Sequence, residues 1–262
     1  MKIISIDIGG TNTHGVIAEN GKIKFETVED GNMPEHILKC FNTLKEKVDL
    51  ADFKLILTGG GARKVKKNFF SFPFKVVDEI LAISKGGIHL SGNKDVFVVS
   101  IGTGTAFVSV KAGRIRHIGG TGIGGGTISG LSKLLLKMNP DNVEKIAKVS
   151  HTDLDITVKD IVGGDLGKIP GDATASNFGK AGEKEDEAAI AASLLNMIGE
   201  TIGVMVYFAA KSVNQEEKIL LCGRVAMNGR VNRRAVETIK MFGGKAEIPE
   251  KAEYCAAIGA AI

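Results

Sequence analysis

Twice in this chain an apolar run ends in a turn of glycine and threonine, and a second apolar run follows at once. The first instance is Lys2–Ile8, then Gly9-Gly10-Thr11-Asn12, then Gly15–Glu19, with a further strand expected over Lys22–Thr27. The second is Val96–Ile101, then Gly102-Thr103-Gly104-Thr105, then Ala106–Lys111, with a third strand expected over Arg114–Ile118. Short apolar runs bounded by such turns read as buried strands joined in hairpins. The repeat is one of architecture and not of residues. It predicts an α/β chain of two lobes, residues 1–90 and 91–262, each built on a βββαβαβα unit.

The stretches between the strands carry helical spacing. Ile37, Leu38, Phe41 and Leu44 mark an amphipathic helix over Pro34–Val48. A strand at Phe53–Thr58 ends in Gly59-Gly60-Gly61, and one at Phe74–Val77 leads into a helix from Asp78 to Lys85. Later come helices at Thr127–Met138, Ala188–Ala210, Val231–Phe242 and Glu253–Ile262, and a strand at Lys218–Leu221. The Ala188–Ala210 run is apolar almost all round, which predicts burial. Its most apolar part, Ile202–Ala210, reads as too short and mixed to span a bilayer.

The turns suggest chemistry. Glycine lets a backbone approach a ligand without a Cβ in the way, and successive N–H groups and threonine hydroxyls suit phosphate oxygens. Asp7 stands at the end of an apolar strand, directly before such a turn, where a carboxylate can hold a magnesium ion. Asp7–Thr11 thus reads as one jaw of a nucleoside triphosphate site and Gly102–Thr105 as the other. The glycine-rich stretch His117–Leu135 runs straight into a helix, and a helix start attracts anions. Its spacing matches neither the dinucleotide fingerprint nor the P-loop.

Other features exclude rather than propose. Net charge is +4, from 34 basic and 30 acidic residues, with no basic stripe interleaved with aromatics, so no nucleic-acid partner is expected. Lys64, Lys66 and Lys67 read as a solvated face. His36, His89 and His151 lack metal-ligand spacing and read as surface residues. Gly182–Glu187 reads as a charged helix start. Phe69, Phe70, Phe72 and Phe74 read as core or interface. Cys40, Cys222 and Cys255 are odd in number and widely spaced, which predicts free buried thiols in a reducing compartment. With no signal-peptide layout at the start, a cytoplasmic protein without a membrane partner is expected.

Five stretches in order resemble the type II pantothenate kinases, within the actin-like ATPase (ribonuclease H-like) superfamily that includes sugar kinases. They are "DIGGT" (Asp7–Thr11), "DE" (Asp78-Glu79), "IGTGT" (Ile101–Thr105), "IGGTGIGGGTISGL" (Ile118–Leu131) and "IPGDATASNFG" (Ile169–Gly179). The resemblance implies a two-lobed actin-like fold, transfer of phosphate from MgATP to the primary hydroxyl of pantothenate, and a homodimer. It implies Glu79 as catalytic base, with Asp78 as the fallback, and Asp7 near the magnesium. ATP would meet Gly9, Gly10, Thr11, Asn12, Thr13, His14, Thr103, Gly104, Gly125, Gly126 and Thr127. Gly223 and Arg224 would border the adenine, the guanidinium stacking on the base. The acceptor would meet Glu79, Thr105, Arg116, His117 and Gly119.

Two departures bear on the substrate. His14 stands where the family has lysine, and His117 stands where it has the arginine that meets the pantothenate carboxylate. Arg116 lies one place earlier, on the opposite face of a regular strand. Another small alcohol such as pantetheine is therefore an alternative acceptor, and a nucleotide sensor without catalysis is a further one.

Overall fold

A computed structural model describes residues 2–48, 53–149 and 153–262. The first sheet opens with an antiparallel meander of β1 (Lys2–Ile8), β2 (Thr13–Glu19) and β3 (Lys22–Glu29). Helix α1 (Pro34–Lys45) returns the chain to β4 (Phe53–Thr58), parallel to β1, and β5 (Phe74–Val76) pairs parallel to β4. Helix α2 (Glu79–Ser91) then leads to a second meander, β6 (Val96–Ile101), β7 (Thr105–Lys111) and β8 (Arg114–Thr121). There follow α3 (Gly125–Leu131), α4 (Pro140–Val149), β9 (Ile156–Thr157), α5 (Val158–Val162), β10 (Thr174–Ser176) and α6 (Glu187–Lys211). The chain closes with β11 (Ile219–Cys222), α7 (Gly229–Met241), β12 (Ala246–Glu247) and α8 (Cys255–Ala261). The two large sheets have the orders β3-β2-β1-β4-β5 and β8-β7-β6-β11-β12, so the duplicated architecture is present, and β9 and β10 form a separate small ribbon.

Several expectations shift in detail. Between β4 and β5 the chain makes only a 3-10 turn, Gly60–Lys64, where the repeated unit has a helix. The helix expected over Thr127–Met138 starts earlier, at Gly125, and gives way to one π turn at Ser132–Leu136, with Lys137 left-handed at φ 54°. The apolar helix α6 is longer than its sequence run implies, and by length and composition it could cross a membrane. About two thirds of its most apolar stretch (67%) is instead inside the protein, against α4, α7 and β7. His151 lies outside the described residues, His89 is exposed and His36 is half-buried.

Alternation along β1 decides which side chains meet. Ile4, Ile6 and Ile8 face α1 and pack on Ile37, Cys40, Phe41 and Leu44. Phe69, Phe70, Phe72 and Phe74 extend this core, with Phe41 and Phe70 ring centres 4.9 Å apart. The other face of β1 carries Ile3, Ser5 and Asp7. Across the hairpin it is continued by Ala18, Val16 and His14, because the register pairs Ile3 with Ala18, Ser5 with Val16 and Asp7 with His14. Helix α8 lies on this face, with Tyr254, Ala257 and Ile258 against Val16 and Ala18. Cys40, Cys222 and Cys255 are all free and buried.

The lobes are joined where α2 crosses α8. A Cβ added at Gly86 would strike the Cys255 carbonyl, and one at Gly259 would strike the Ala82 carbonyl and the Gly86 nitrogen. The helices therefore meet backbone to backbone, an approach that only glycine permits. Gly259→Val is expected to destabilise the protein by about 3 kcal/mol, at the upper end of overpacking costs. A chemical-denaturation midpoint that does not move would contradict this account of the junction.

Candidate active site

The two glycine-threonine turns face each other across a cleft of about 730 Å³ between the lobes. The first closes β1 onto β2, with Gly9 N–H donating to Asn12 O at 2.9 Å. Asn32 braces it from behind, its Nδ2 donating to Gly9 O at 3.1 Å and Gly10 O at 2.8 Å. The second closes β6 onto β7, with Gly102 N–H donating to Gly104 O at 2.8 Å. The Thr11 and Thr103 hydroxyl oxygens stand 3.5 Å apart, so the two jaws touch at their threonines.

The glycine-rich loop before α3 serves the second turn. Gly125 and Gly126 N–H donate to Gly102 O at 2.7 Å and Thr103 O at 2.8 Å. A Cβ at Gly124 would lie 2.8 Å from each of those carbonyl oxygens, so the loop can close on the turn only without one. The Thr127 hydroxyl donates to Gly122 O at 3.0 Å and accepts from Gly124 N–H at 3.2 Å. These first amides of α3 and the Thr127 hydroxyl are thus occupied in shaping the turn.

Asp7 stands on the floor of the cleft. Gly59, at φ +85°, curls past it so closely that a Cβ there would collide with the carboxylate and with Ile8 O. No side-chain cation among the described residues pairs with Asp7. Enclosure by protein, and then the charge of Glu79, push its carboxyl up from 3.8 to about 7. Glu79 opens α2 and lines the same cleft. Its carboxyl is also raised, first by loss of water, then by Asp78, with Arg63 opposing. Asp78 is otherwise engaged. It caps α2, accepting from Ile80 N–H at 3.0 Å and Leu81 N–H at 3.3 Å, and it pairs with Arg63 at 3.2 Å. Of the two neighbouring carboxylates, Glu79 is the one turned to the cleft.

His14, 6% exposed, lies edge-on to Tyr254 with ring centres 5.6 Å apart. Its Nε2 makes no hydrogen bond and stands 3.9 Å from Glu253 Oε2. Burial first, and then nearby Arg224, lower its pKa to about 4, so the ring is neutral at pH 7. Arg224 follows β11 and Gly223. It is held between two carboxylates, Asp30 at 3.2 Å and Glu253 at 3.4 Å.

The structure brings most of the expected residues together. Asp7, Gly9, Gly10, Thr11, Asn12, His14, Glu79, Thr103, Gly104, Thr105, Gly125, Gly223 and Arg224 all line the cleft. Thr13, Gly126 and Thr127 do not line it, Thr13 being fully buried with its hydroxyl donating to Gly31 O at 2.7 Å. Arg116, His117 and Gly119 do not line it either. Strand β8 carries a β-bulge: Phe107 pairs with Gly119 and Val108 with His117, leaving Ile118 as the extra residue. The bulge places Arg116, opposite Ser109, on the face of Thr105 and Thr121, and turns His117 to the other. Sequence reasoning missed the site roles of Asn32 and Asp30, single polar residues in the loop after β3, and of Glu253, in the 3-10 turn before α8, none with a motif around it.

Among solved structures the whole chain superposes on the activator of the 2-hydroxyisocaproyl-CoA dehydratase from Clostridium difficile with bound ADPNP. The TM-score is 0.67 at 17% identity, covering 100% of this chain and 93% of that one. The ROK hexokinase from Thermus thermophilus superposes with TM-score 0.53 at 13% identity, covering 100% and 97%. The fold is that of the actin-like ATPases. In sequence, the Fumble family model matches residues 94–262. A type II pantothenate kinase from Bacillus thuringiensis subsp. konkukian (strain 97-27) is 34% identical over 238 residues, 86% of this chain and 84% of that protein. One from Oceanobacillus iheyensis is 30% identical, covering 99% and 98%. The chain belongs to the type II pantothenate kinase family.

The raised carboxyl of Asp7 has a sign. The folded protein holds a proton there that the unfolded chain has released, so stability falls as pH rises from about 4 to about 7. The slope from this group is up to about 1.4 kcal/mol per pH unit. Asp7→Asn is expected to flatten that part of a stability–pH profile taken without ligand. An unchanged profile would contradict the assignment.

Proposed function

We propose that this chain is a pantothenate kinase, phosphorylating the primary hydroxyl of pantothenate with ATP to give 4′-phosphopantothenate, the first step of coenzyme A biosynthesis. One observation carries the reading. In a chain of this family, Asp7 and Glu79 share a cleft walled by two phosphate-type turns, and among the described residues neither forms an ion pair with a side-chain cation. Such a centre suits a nucleotide arriving with a divalent ion.

Phosphoryl transfer asks the protein chiefly for position and charge. The turns at Gly9–Asn12 and Thr103-Gly104 hold the phosphates, with the Thr11 and Thr103 hydroxyls close enough to share one phosphoryl group. Glu79 orients the acceptor hydroxyl and takes its proton as the oxygen attacks the γ-phosphorus and the bond to ADP breaks. Its raised pKa makes it a stronger base than an ordinary glutamate. The carboxylate oxygens of Asp7 and Glu79 in this cleft suit magnesium, which would supply neutralisation of phosphate charge when bound. Arg116 lies outside the lining of the cleft, but the bulge brings it onto the face of Thr105 and Thr121, and we assign it to the carboxylate of pantothenate. Buried free thiols support a reducing, cytoplasmic setting. A second copy packs on the patch of Phe208, Met241 and Phe242, where Phe208 is 55% exposed and 5.4 Å from Phe242.

ADP release with MgATP and pantothenate tests the chemistry. Glu79→Gln is expected to lower kcat by about 10²–10⁴ with little change in the KM for ATP. In the same assay Arg116→Ala is expected to raise the KM for pantothenate about tenfold and leave that for pantetheine unchanged. Release with pantetheine alone would move the substrate; release independent of any acceptor would remove the kinase reading. Light scattering checks the pairing of copies, and a monomer mass would refute it.

A further inference from the structure

The cleft carries a charge imbalance. Six carboxylates line it, those of Asp7, Asp30, Glu79, Asp141, Glu144 and Glu253. Among the described residues its one permanent cation is Arg224. A guanidinium keeps its charge at any working pH and presents a fork of donors that matches phosphate oxygens. A triphosphate entering so acidic a cleft needs positive charge at its oxygens, and a magnesium ion supplies only part of it.

Arg224 is also placed for this task. Its Nη2 donates to Asp30 Oδ1 at 3.2 Å, and the same oxygen accepts from Asn12 Nδ2 at 3.1 Å. The guanidinium is therefore one shared atom away from the first phosphate turn. Its Nη1 donates to Glu253 Oε2 at 3.4 Å, on the side where His14 buries an unpartnered Nε2. The contact to Asp30 crosses between the lobes, since Arg224 follows β11 while Asp30 follows β3, and Glu253 lies in the same lobe as the arginine. With Asp30 and Glu253 occupying its donors, the side chain is drawn toward the turn rather than laid flat for stacking on a base.

We infer that Arg224 is the phosphate-binding cation of this chain, held in reserve by Asp30 and Glu253 and released to the β- and γ-phosphate oxygens when MgATP enters. His14, buried edge-on against Tyr254, leaves this role to the arginine. The inference rests on the kinase reading and gives Arg224 a polyphosphate ligand in place of the adenine ring.

Displacement of a fluorescent ATP analogue, with magnesium present, reads the role without turnover. The competitors are ATP, tripolyphosphate and adenosine, and the proteins are the wild type, Arg224→Ala, Arg224→Lys and Asp30→Asn. Arg224→Ala is expected to weaken ATP 10- to 100-fold and tripolyphosphate similarly, with adenosine changed less than twofold. Arg224→Lys falls between the two, and Asp30→Asn tightens ATP severalfold by freeing the guanidinium. Circular dichroism melts of each variant confirm the fold, and Arg224→Lys and Asp30→Asn keep the test decisive should Arg224→Ala not fold. An equal loss of adenosine and ATP binding in Arg224→Ala would assign the arginine to the base and overturn the inference. Unchanged ATP binding in that variant would also overturn it while leaving the kinase reading intact. A wild type that binds neither the analogue nor ATP would instead bring down the kinase reading and this inference together.

Discussion

The glycine-on-glycine crossing of α2 and α8 is the constraint on which the rest of the molecule depends. Gly86 and Gly259 let two helices touch through their backbones, and Ile83, Cys255, Ala256 and Ala260 fill the space around the contact. Helix α2 leads out of the first sheet, and α8 lies on the face of β1 and β2 after a chain path through the second sheet. Their closeness ties the two sheets into one body. Only at that spacing do the turns after β1 and β6 come near enough for Thr11 and Thr103 to face each other at 3.5 Å. A side chain at either glycine would push the helices apart, and the jaws would part with them.

A second consequence is electrical. Holding the strand ends together gathers carboxylates that a free chain would keep in water: Asp7 from β1, Glu79 from α2, Asp30 after β3 and Glu253 before α8. Limited access to water leaves the charge of Asp7 poorly solvated, and Glu79 adds repulsion, so below about pH 7 the carboxyl favours its protonated form and above it the charge stands without a side-chain counter-ion among the described residues. Such an arrangement lowers stability locally and is tolerated because the isoleucine face of β1 and the interior of α6 bury apolar surface elsewhere. The same unneutralised charge is what gives the cleft its affinity for cations and cation-bound phosphates. Site and scaffold thus divide the two faces of one strand, isoleucines toward α1 and the carboxylate toward the cleft.

Several parts of this were legible in the chain itself, each for a local reason. Alternation of apolar residues marks β1 and β6. Glycine and threonine at their ends mark turns, and helical spacing marks α1 and α7. Asp7 is conspicuous because a carboxylate within an apolar run has no structural excuse. Other features resisted reading. Asp78 and Glu79 are neighbours of the same chemistry, and only the cap geometry and Arg63 separate them. The bulge at Ile118 leaves no trace in composition, yet it exchanges the faces of Arg116 and His117. The amides of Gly125 and Gly126 look free beside a helix start, but carbonyls more than twenty residues earlier in the chain accept from them.

By itself, then, the sequence determined the duplicated strand-turn-strand units, the apolar faces, the two phosphate-type turns and the family, because all of these are written in short-range patterns of residue type. The tertiary structure alone decided how closely the two turns approach, that Arg224 stands between Asp30 and Glu253, and that the elements enclosing α6 are α4, α7 and β7. Those outcomes depend on contacts between segments as much as 194 residues apart. Such contacts follow from how the sheets and helices pack, and no local pattern along the chain encodes that distance.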